Sequence, residues 1–233
     1  SDVGIVLNLT PGMSASSSDA DKDATLLFNQ FFNDWFLDPL YGGEYPNEVK
    51  DDWILKGHFD ELNFLKDGDY EIISTPTDFL GINYYSRAII RNEEIPENEN
   101  SPVSVLPGEK TDFDWEVYPD GLENLLIDVY KKYKPKSIHV TENGCAYDYP
   151  KIDGEINDLK RIEYLELHVK ACKNAIRSGV PLDGYMHWSL MDKFEWAEGY
   201  CKKFGLIGVD FDTLERTPKN SFWRYKEIIS KNT

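Results

Sequence analysis

The chain has 233 residues, 41% hydrophobic and 14% aromatic, enough to bury a substantial core, and no apolar run reaches the roughly 18 residues of a membrane span. Its formal net charge of −17 argues against nucleic acid, whose phosphates require clustered Lys and Arg, and against anionic membrane surfaces. A neutral ligand is indifferent to such a field.

Strand and helix patterns alternate along the chain. Val3 to Leu9 reads as a strand. The Ser- and Asp-rich segment 14–23 caps a helix bearing Phe28, Phe31, Phe32, Trp35 and Phe36 at helical spacing. A loop region leads to a second strand at 79–85, and an acidic irregular stretch covers about 91–114. The next helix carries Leu122, Leu125, Leu126, Val129, Tyr130 and Tyr133 on one face. It ends in Lys131, Lys132 and Lys134 before Pro135, where the helix dipole favours cations. A strand at 137–142 is followed by a helix with Ile162, Leu165, Val169, Cys172 and Ile176, closed by Gly179 and Pro181. A last strand at 183–189 and a helix from about Ser221 complete the set. Four such units fit a parallel α/β architecture, either an open doubly wound sheet or part of a barrel.

The strand at 137–142 is the most informative. A β-branched run ends in Thr141-Glu142-Asn143-Gly144, so a buried strand delivers one carboxylate to its C-terminal rim. Chemistry in α/β folds is placed just past the C-terminal ends of strands. Taken alone, these four residues fit a solvated strand-end acid equally well. The start Ser1-Asp2-Val3-Gly4 lacks the basic and apolar regions of a secretory leader, and Cys145, Cys172 and Cys201 show no C-x-x-C spacing. Both point to a cytoplasmic setting. No Cys/His pair stands at ligand spacing, so neither a metal nor another cofactor is expected.

Two further strand ends stand beside Thr141-Glu142-Asn143-Gly144. One is Asp78-Phe79-Leu80-Gly81-Ile82-Asn83-Tyr84-Tyr85. The other is Gly184-Tyr185-Met186-His187-Trp188-Ser189-Leu190-Met191-Asp192, running on through Glu195-Trp196-Ala197-Glu198-Gly199-Tyr200 to Phe204-Gly205. In this order the motifs resemble glycoside hydrolase family 1, the β-glucosidase type of retaining glycosidase on a (β/α)8 TIM barrel. The resemblance runs along residues 1–233. It implies an α/β chain supplying about strands five to eight and their helices, the C-terminal half of one catalytic domain. A complete barrel needs about 250 residues or more.

The resemblance also implies roles. Glu142 matches the nucleophile and Tyr85 the phenol that hydrogen-bonds it, although Tyr85 also reads as a packed strand aromatic. Asn83 resembles the polar residue near the reacting sugar, or a turn cap. Trp188 resembles the platform under the sugar face, and Glu195 and Trp196 the residues that bind its hydroxyls. Phe204 resembles a wall of the same pocket, and Trp115 an aglycone-side wall or a loop anchor. Glu198, Trp35, Trp53, His58, His139, His168 and His187 carry only generic readings.

Relatives acting on 6-phosphosugars have a serine near Glu195, a tyrosine at Phe204 and a phosphate-binding lysine. Glu195 and Phe204 therefore imply an unphosphorylated β-glycoside, while Lys202 and Lys203 keep a 6-phospho-β-glycosidase as the alternative. The acid/base glutamate of the family sits in an Asn-Glu-Pro motif that this sequence lacks. Asn47-Glu48-Val49 and Pro96-Glu97-Asn98 read as loops with no preceding strand. The expected partner is an N-terminal half bearing that motif. A self-paired homo-oligomer and a non-catalytic sugar-binding half-barrel stay open beside it.

Overall fold

A computed structural model describes residues 1–57, 65–96 and 101–231. Its strands are β1 (Gly4–Asn8), β2 (Gly12–Ser14), β3 (Phe79–Asn83), β4 (Ala88–Ile90), β5 (Ile138–Asn143), β6 (Leu182–His187), β7 (Ile207–Val209) and β8 (Arg216–Pro218). Its α-helices are α1 (Asp19–Asn29), α2 (Trp35–Leu40), α3 (Asn47–Leu55), α4 (Asp69–Ile73), α5 (Pro119–Tyr133), α6 (Leu159–Arg177) and α7 (Asn220–Ser230). The four expected strands are β1, β3, β5 and β6, with ends moved by one or two residues. They form one parallel sheet in the order β1-β3-β5-β6.

The packing follows the hydrophobic period. Leu7, Leu80, Ile82, Ile138 and Val140 point to one side of the sheet. There they meet Leu122, Leu125, Leu126 and Val129 of α5 and Ala171, Cys172 and Ala175 of α6. Helices cover this face. On the opposite face Val6 and Met186 stand 48% and 46% exposed on the two outermost strands. A doubly wound sheet needs helices on both faces, so the open-sheet alternative is set aside among the described residues.

Local chemistry explains the helix ends. The Ser18 hydroxyl accepts from the Asp21 N–H to cap α1, and α5 opens with Pro119 in its first turn and ends on left-handed Lys134. The expected single helix through Phe36 is broken by a π-turn at Gln30–Asp34. Asn33 within it brackets Thr10, accepting from its N–H at 3.0 Å and donating to its carbonyl at 2.9 Å. Asn29 accepts from the Gly12 N–H at 2.8 Å. The wide turn thus ties the helix to the segment leaving β1.

Two small sheets were not expected from the pattern: β2 pairs in parallel with β4, and β7 with β8 in an antiparallel hairpin. Asn47-Glu48-Val49, expected in a loop, opens α3, because Pro46 precedes it and Val49 finds a buried seat. His58, Glu97 and Asn98 lie outside the described residues.

Candidate active site

At its C-terminal end β5 carries one residue more than either neighbour. Val140 pairs with Ile82 and then Glu142 with Asn83, while across β6 Val140 pairs with Tyr185 and then Asn143 with His187. Such a bulge re-aims side chains at a strand end. Thr141 and Glu142 consequently share the open side: the Thr141 hydroxyl donates to Asn83 Oδ1 at 2.7 Å, and Glu142 and Asn83 line the same cavity.

Asn143 turns the other way and is buried. It donates to the Tyr84 carbonyl and to Tyr164 Oη, both at 2.9 Å, and accepts from the Tyr185 hydroxyl at 2.7 Å. Gly144 completes the turn, since a Cβ there would overlap the Trp188 carbonyl oxygen. The tetrapeptide is thus a device for presenting one carboxylate from a rigid base.

The cavity measures about 750 Å3 and lies where β1, β3, β5 and β6 end. Its walls bring together all eight residues singled out in the sequence: Asn83, Tyr85, Trp115, Glu142, Trp188, Glu195, Trp196 and Phe204. The Tyr85 hydroxyl donates to Glu142 Oε2 at 2.5 Å. Burial pushes the Tyr85 phenol well above its usual range, and the Glu142 hydrogen bond and the charges of Glu142 and Glu195 push further. The proton therefore stays on Tyr85 and the bond keeps its direction.

Aromatic rings frame this pair. Tyr85 sits 4.9 Å from Trp115 and 6.4 Å from the buried Phe204, ring centre to centre, and Phe113 closes the cluster at 4.2 Å from Trp115. Glu195 is buried and accepts from the Lys193 ammonium at 2.6 Å, and that ammonium also lies 4.7 Å from the Trp188 ring centre. Trp196 is the outlier, lining the cavity while 87% exposed.

Other carboxylates reach the cavity as ion pairs: Glu116 with Arg87, Asp114 with Lys110, and Glu195 with Lys193. Burial alone would raise the Glu116 carboxyl, but hydrogen bonds from Arg87 and the Gly108 N–H outweigh it and hold it below the usual range. Glu142 is the lining carboxylate that pairs with a neutral donor instead. Among the described residues no cluster of three or more His, Cys, Asp or Glu could hold a metal.

Lys202 and Lys203 do not line the cavity. Lys202 donates to the Asp112 carbonyl at 2.5 Å, and Lys203 lies 4.4 Å from the Phe211 ring centre.

Sequence reasoning missed Asn8, Thr10, Phe32, Ser86, Arg87 and Glu116 in the cavity wall. Asn8 is the last residue of β1 and Thr10 lies two residues beyond it, and neither stands in a pattern that marks chemistry. Arg87 and Glu116 meet across 29 positions, which no local pattern reports.

A model of glycosyl hydrolase family 1 matches residues 1–233. The chain is 42% identical over 233 residues to the beta-glucosidase A of Acetivibrio thermocellus, covering 99% of this chain and 51% of that protein. It is 36% identical over 255 residues to a 6-phospho-beta-galactosidase of Clostridium acetobutylicum, covering 97% and 53%. The solved beta-glucosidase of Exiguobacterium marinum superposes with a TM-score of 0.91 at 36% identity, covering 100% of this chain and 52% of that one. The chain spans about half the length of these relatives, and its four parallel strands with their helices correspond to about strands five to eight of a (β/α)8 barrel. On the family match along its whole length, the chain belongs to glycosyl hydrolase family 1.

Proposed function

We propose that residues 1–233 form the nucleophile-bearing half of the catalytic domain of a retaining β-glycosidase of β-glucosidase type. The observation that carries this reading is the Tyr85–Glu142 hydrogen bond at the floor of an aromatic-walled cavity. Retaining glycosidases need two carboxylates about 5–5.5 Å apart, one to attack the anomeric carbon and one to protonate the departing oxygen. Glu142 attacks, forming a glycosyl ester as the bond to the leaving oxygen breaks. The Tyr85 phenol orients the carboxylate before attack and stays protonated throughout. Trp188 offers its face to the sugar, and Glu195 accepts hydrogen bonds from the sugar hydroxyls, with Asn83 and Trp196 beside it. The proton for the leaving group, and later the activation of water, come from a carboxylate on an N-terminal half with strands one to four.

The need for that half is supported by the sheet. Val6 and Met186 are exposed on the outermost strands, whose outer edges have no neighbour among the described residues. A cytoplasmic setting belongs to the same proposal, as Cys145, Cys172 and Cys201 are unpaired thiols. The 6-phosphosugar alternative is less well supported: Glu195 would repel a phosphate dianion, and the Lys202 ammonium is engaged by a backbone carbonyl away from the cavity.

The test is chemical. In protein containing both halves, a 2-fluoro-β-glucoside should form an ester on Glu142, mapped by peptide mass. Glu142→Gln should lower turnover on the order of 10³-fold or more, as loss of a covalent nucleophile does. Labelling of Glu195 or Glu198 instead would refute the assignment, and absence of both labelling and turnover would favour a non-catalytic sugar-binding half-barrel.

A further inference from the structure

Four separate segments around the cavity mouth converge on one buried ion pair. Arg87 lies just past the end of β3, two residues after Tyr85, and Glu116 comes directly after Trp115. Their contact is two-pronged: Arg87 Nε donates to Glu116 Oε2 at 2.8 Å and Nη2 to Oε1 at 2.9 Å, with both side chains 7% exposed. Glu116 Oε1 also accepts from the Gly108 N–H at 2.7 Å. The guanidinium lies 3.8 Å from the Tyr118 ring centre, and its Nη1 is 2.7 Å from the Met13 sulfur of β2.

The loop bearing Trp115 is also tied to other segments through Asp112, whose N–H donates to the Ala146 carbonyl at 3.0 Å, whose Oδ2 accepts from the Asp148 N–H at 2.7 Å and whose carbonyl accepts from Lys202 at 2.5 Å. The Thr111 N–H donates to the Trp115 carbonyl and the Val117 N–H to the Glu109 carbonyl, both at 2.8 Å. These two bonds fix the loop's shape, the Asp112 contacts tie it to the segment after β5 and to Lys202, and Arg87–Glu116 ties it to the segment that carries Tyr85. A buried ion pair is a weak source of net stability, since desolvation cancels most of its attraction. What a two-pronged pair does supply is a fixed separation between the segments that carry it. Arg87 is also the partition between the active-site cavity and a second one of about 370 Å3, bounded by Asn33, Asn124, Asp128 and Tyr133 on its far side.

We propose that Arg87 and Glu116 are a positioning pair that holds the Trp115 wall against the Tyr85–Glu142 end of the site and thereby sets which leaving groups the enzyme accepts. The proposal rests on the glycosidase reading and deepens it. Neither residue touches the reacting atoms. With the pair intact, the Trp115 ring is fixed 4.9 Å from Tyr85, and the body of the aglycone packs on a preformed face. Without it, the wall drifts and a large aglycone loses a rigid surface, while the glycone-side groups keep their places.

The experiment uses protein containing both halves and compares a β-linked disaccharide with a β-glycosyl fluoride, which has no aglycone body. Arg87→Met keeps an unbranched apolar stem and removes the guanidinium that reaches Glu116. Its kcat/KM should fall at least ~10-fold more on the disaccharide than on the fluoride, chiefly through KM, as expected when binding away from the reacting bond is lost. The exchange Arg87→Glu with Glu116→Arg should recover part of the disaccharide loss. Incorporated 5-fluorotryptophan, with the Trp115 resonance assigned through Trp115→Phe, should show that resonance shifted or broadened in Arg87→Met. Equal losses on both substrates, or an unmoved Trp115 resonance, overturn the proposal. Wild-type protein that turns over neither substrate refutes the glycosidase reading instead, and the fluorine signal still decides whether the pair fixes the wall.

Discussion

Tyr85→Phe isolates one interaction. The phenol donates to Glu142 Oε2 at 2.5 Å, while the ring packs against Trp115 at 4.9 Å and Phe204 at 6.4 Å. Phenylalanine keeps the packing and deletes only the donor. A hydrogen bond to a charged acceptor contributes about 1.5–3 kcal/mol. A short contact argues for the upper part of that range, and a setting only partly buried for the lower. Taking about 2 kcal/mol, the rate of ester formation should fall roughly 30-fold at neutral pH. The assay is the inactivation rate with a 2-fluoro-β-glucoside in protein containing both halves, because it reports the step in which Glu142 attacks. Folding should change little, since no other group bonds the Tyr85 hydroxyl in the structure. A loss below about threefold would show that Tyr85 does not orient the nucleophile. A loss accompanied by a lowered unfolding midpoint would show that the hydroxyl supports the fold rather than the attack alone.

The same geometry sets three further outcomes. On an aryl β-glucoside and its 6-phosphate, kcat/KM should favour the neutral sugar by at least ~10-fold, because Glu195 opposes the phosphate and Lys202 is held at the Asp112 carbonyl; preference for the phosphate refutes this view of the pocket. Residues 1–233 produced alone should show almost no glycosidase turnover and should aggregate, self-pair or retain an N-terminal fragment, since their open sheet face and free edges seek a cover; a fully active monodisperse monomer sinks the half-barrel proposal. Acid should destabilise the fold through buried histidines: burial, the largest cause in each case, depresses His168 to about 4 and His187 to about 3. Below the unfolded value near 6.5 the unfolded chain takes up protons that the folded one refuses, so this contribution is fully present above pH 6.5 and is lost as pH falls toward 4. The loss is about 1.4 kcal/mol per pH unit per histidine, and a urea midpoint that stays flat from pH 6.5 to 4.5 contradicts it.

The helix-and-strand frame was legible because its signals are periodic. The face of α5 reads directly as Leu122, Leu125, Leu126 and Val129, and the strands read as short β-branched or Gly-containing runs. The break at Gln30–Asp34 was not legible. Its cause is a pair of asparagines, Asn29 and Asn33, reaching back to residues 10–12, and amphipathic spacing carries no trace of such a bond. The small sheets β2–β4 and β7–β8 are three residues per strand, too short for alternation to register.

The proposed site divides in the same way. Glu142, Tyr85, Trp188 and Glu195 stand in contiguous motifs, so the family resemblance could nominate them, and the structure gathers them around one cavity. The groups that hold them in place are scattered. Asn143 touches Tyr84, Tyr164 and Tyr185, and Arg87 meets Glu116 from another element. A motif reports chemistry because the chemistry constrains adjacent residues, whereas support is spread over whatever segments the topology brings near. The bulge in β5 joins the two levels. One extra residue sends Glu142 toward the cavity and Asn143 into the core, so a single strand end both presents the carboxylate and anchors it. Deleting Thr141 would remove that residue and reverse the facing of Glu142 and Asn143. The spacing within Thr141-Glu142-Asn143-Gly144, as much as its residue types, is what the proposed nucleophilic role of Glu142 rests on.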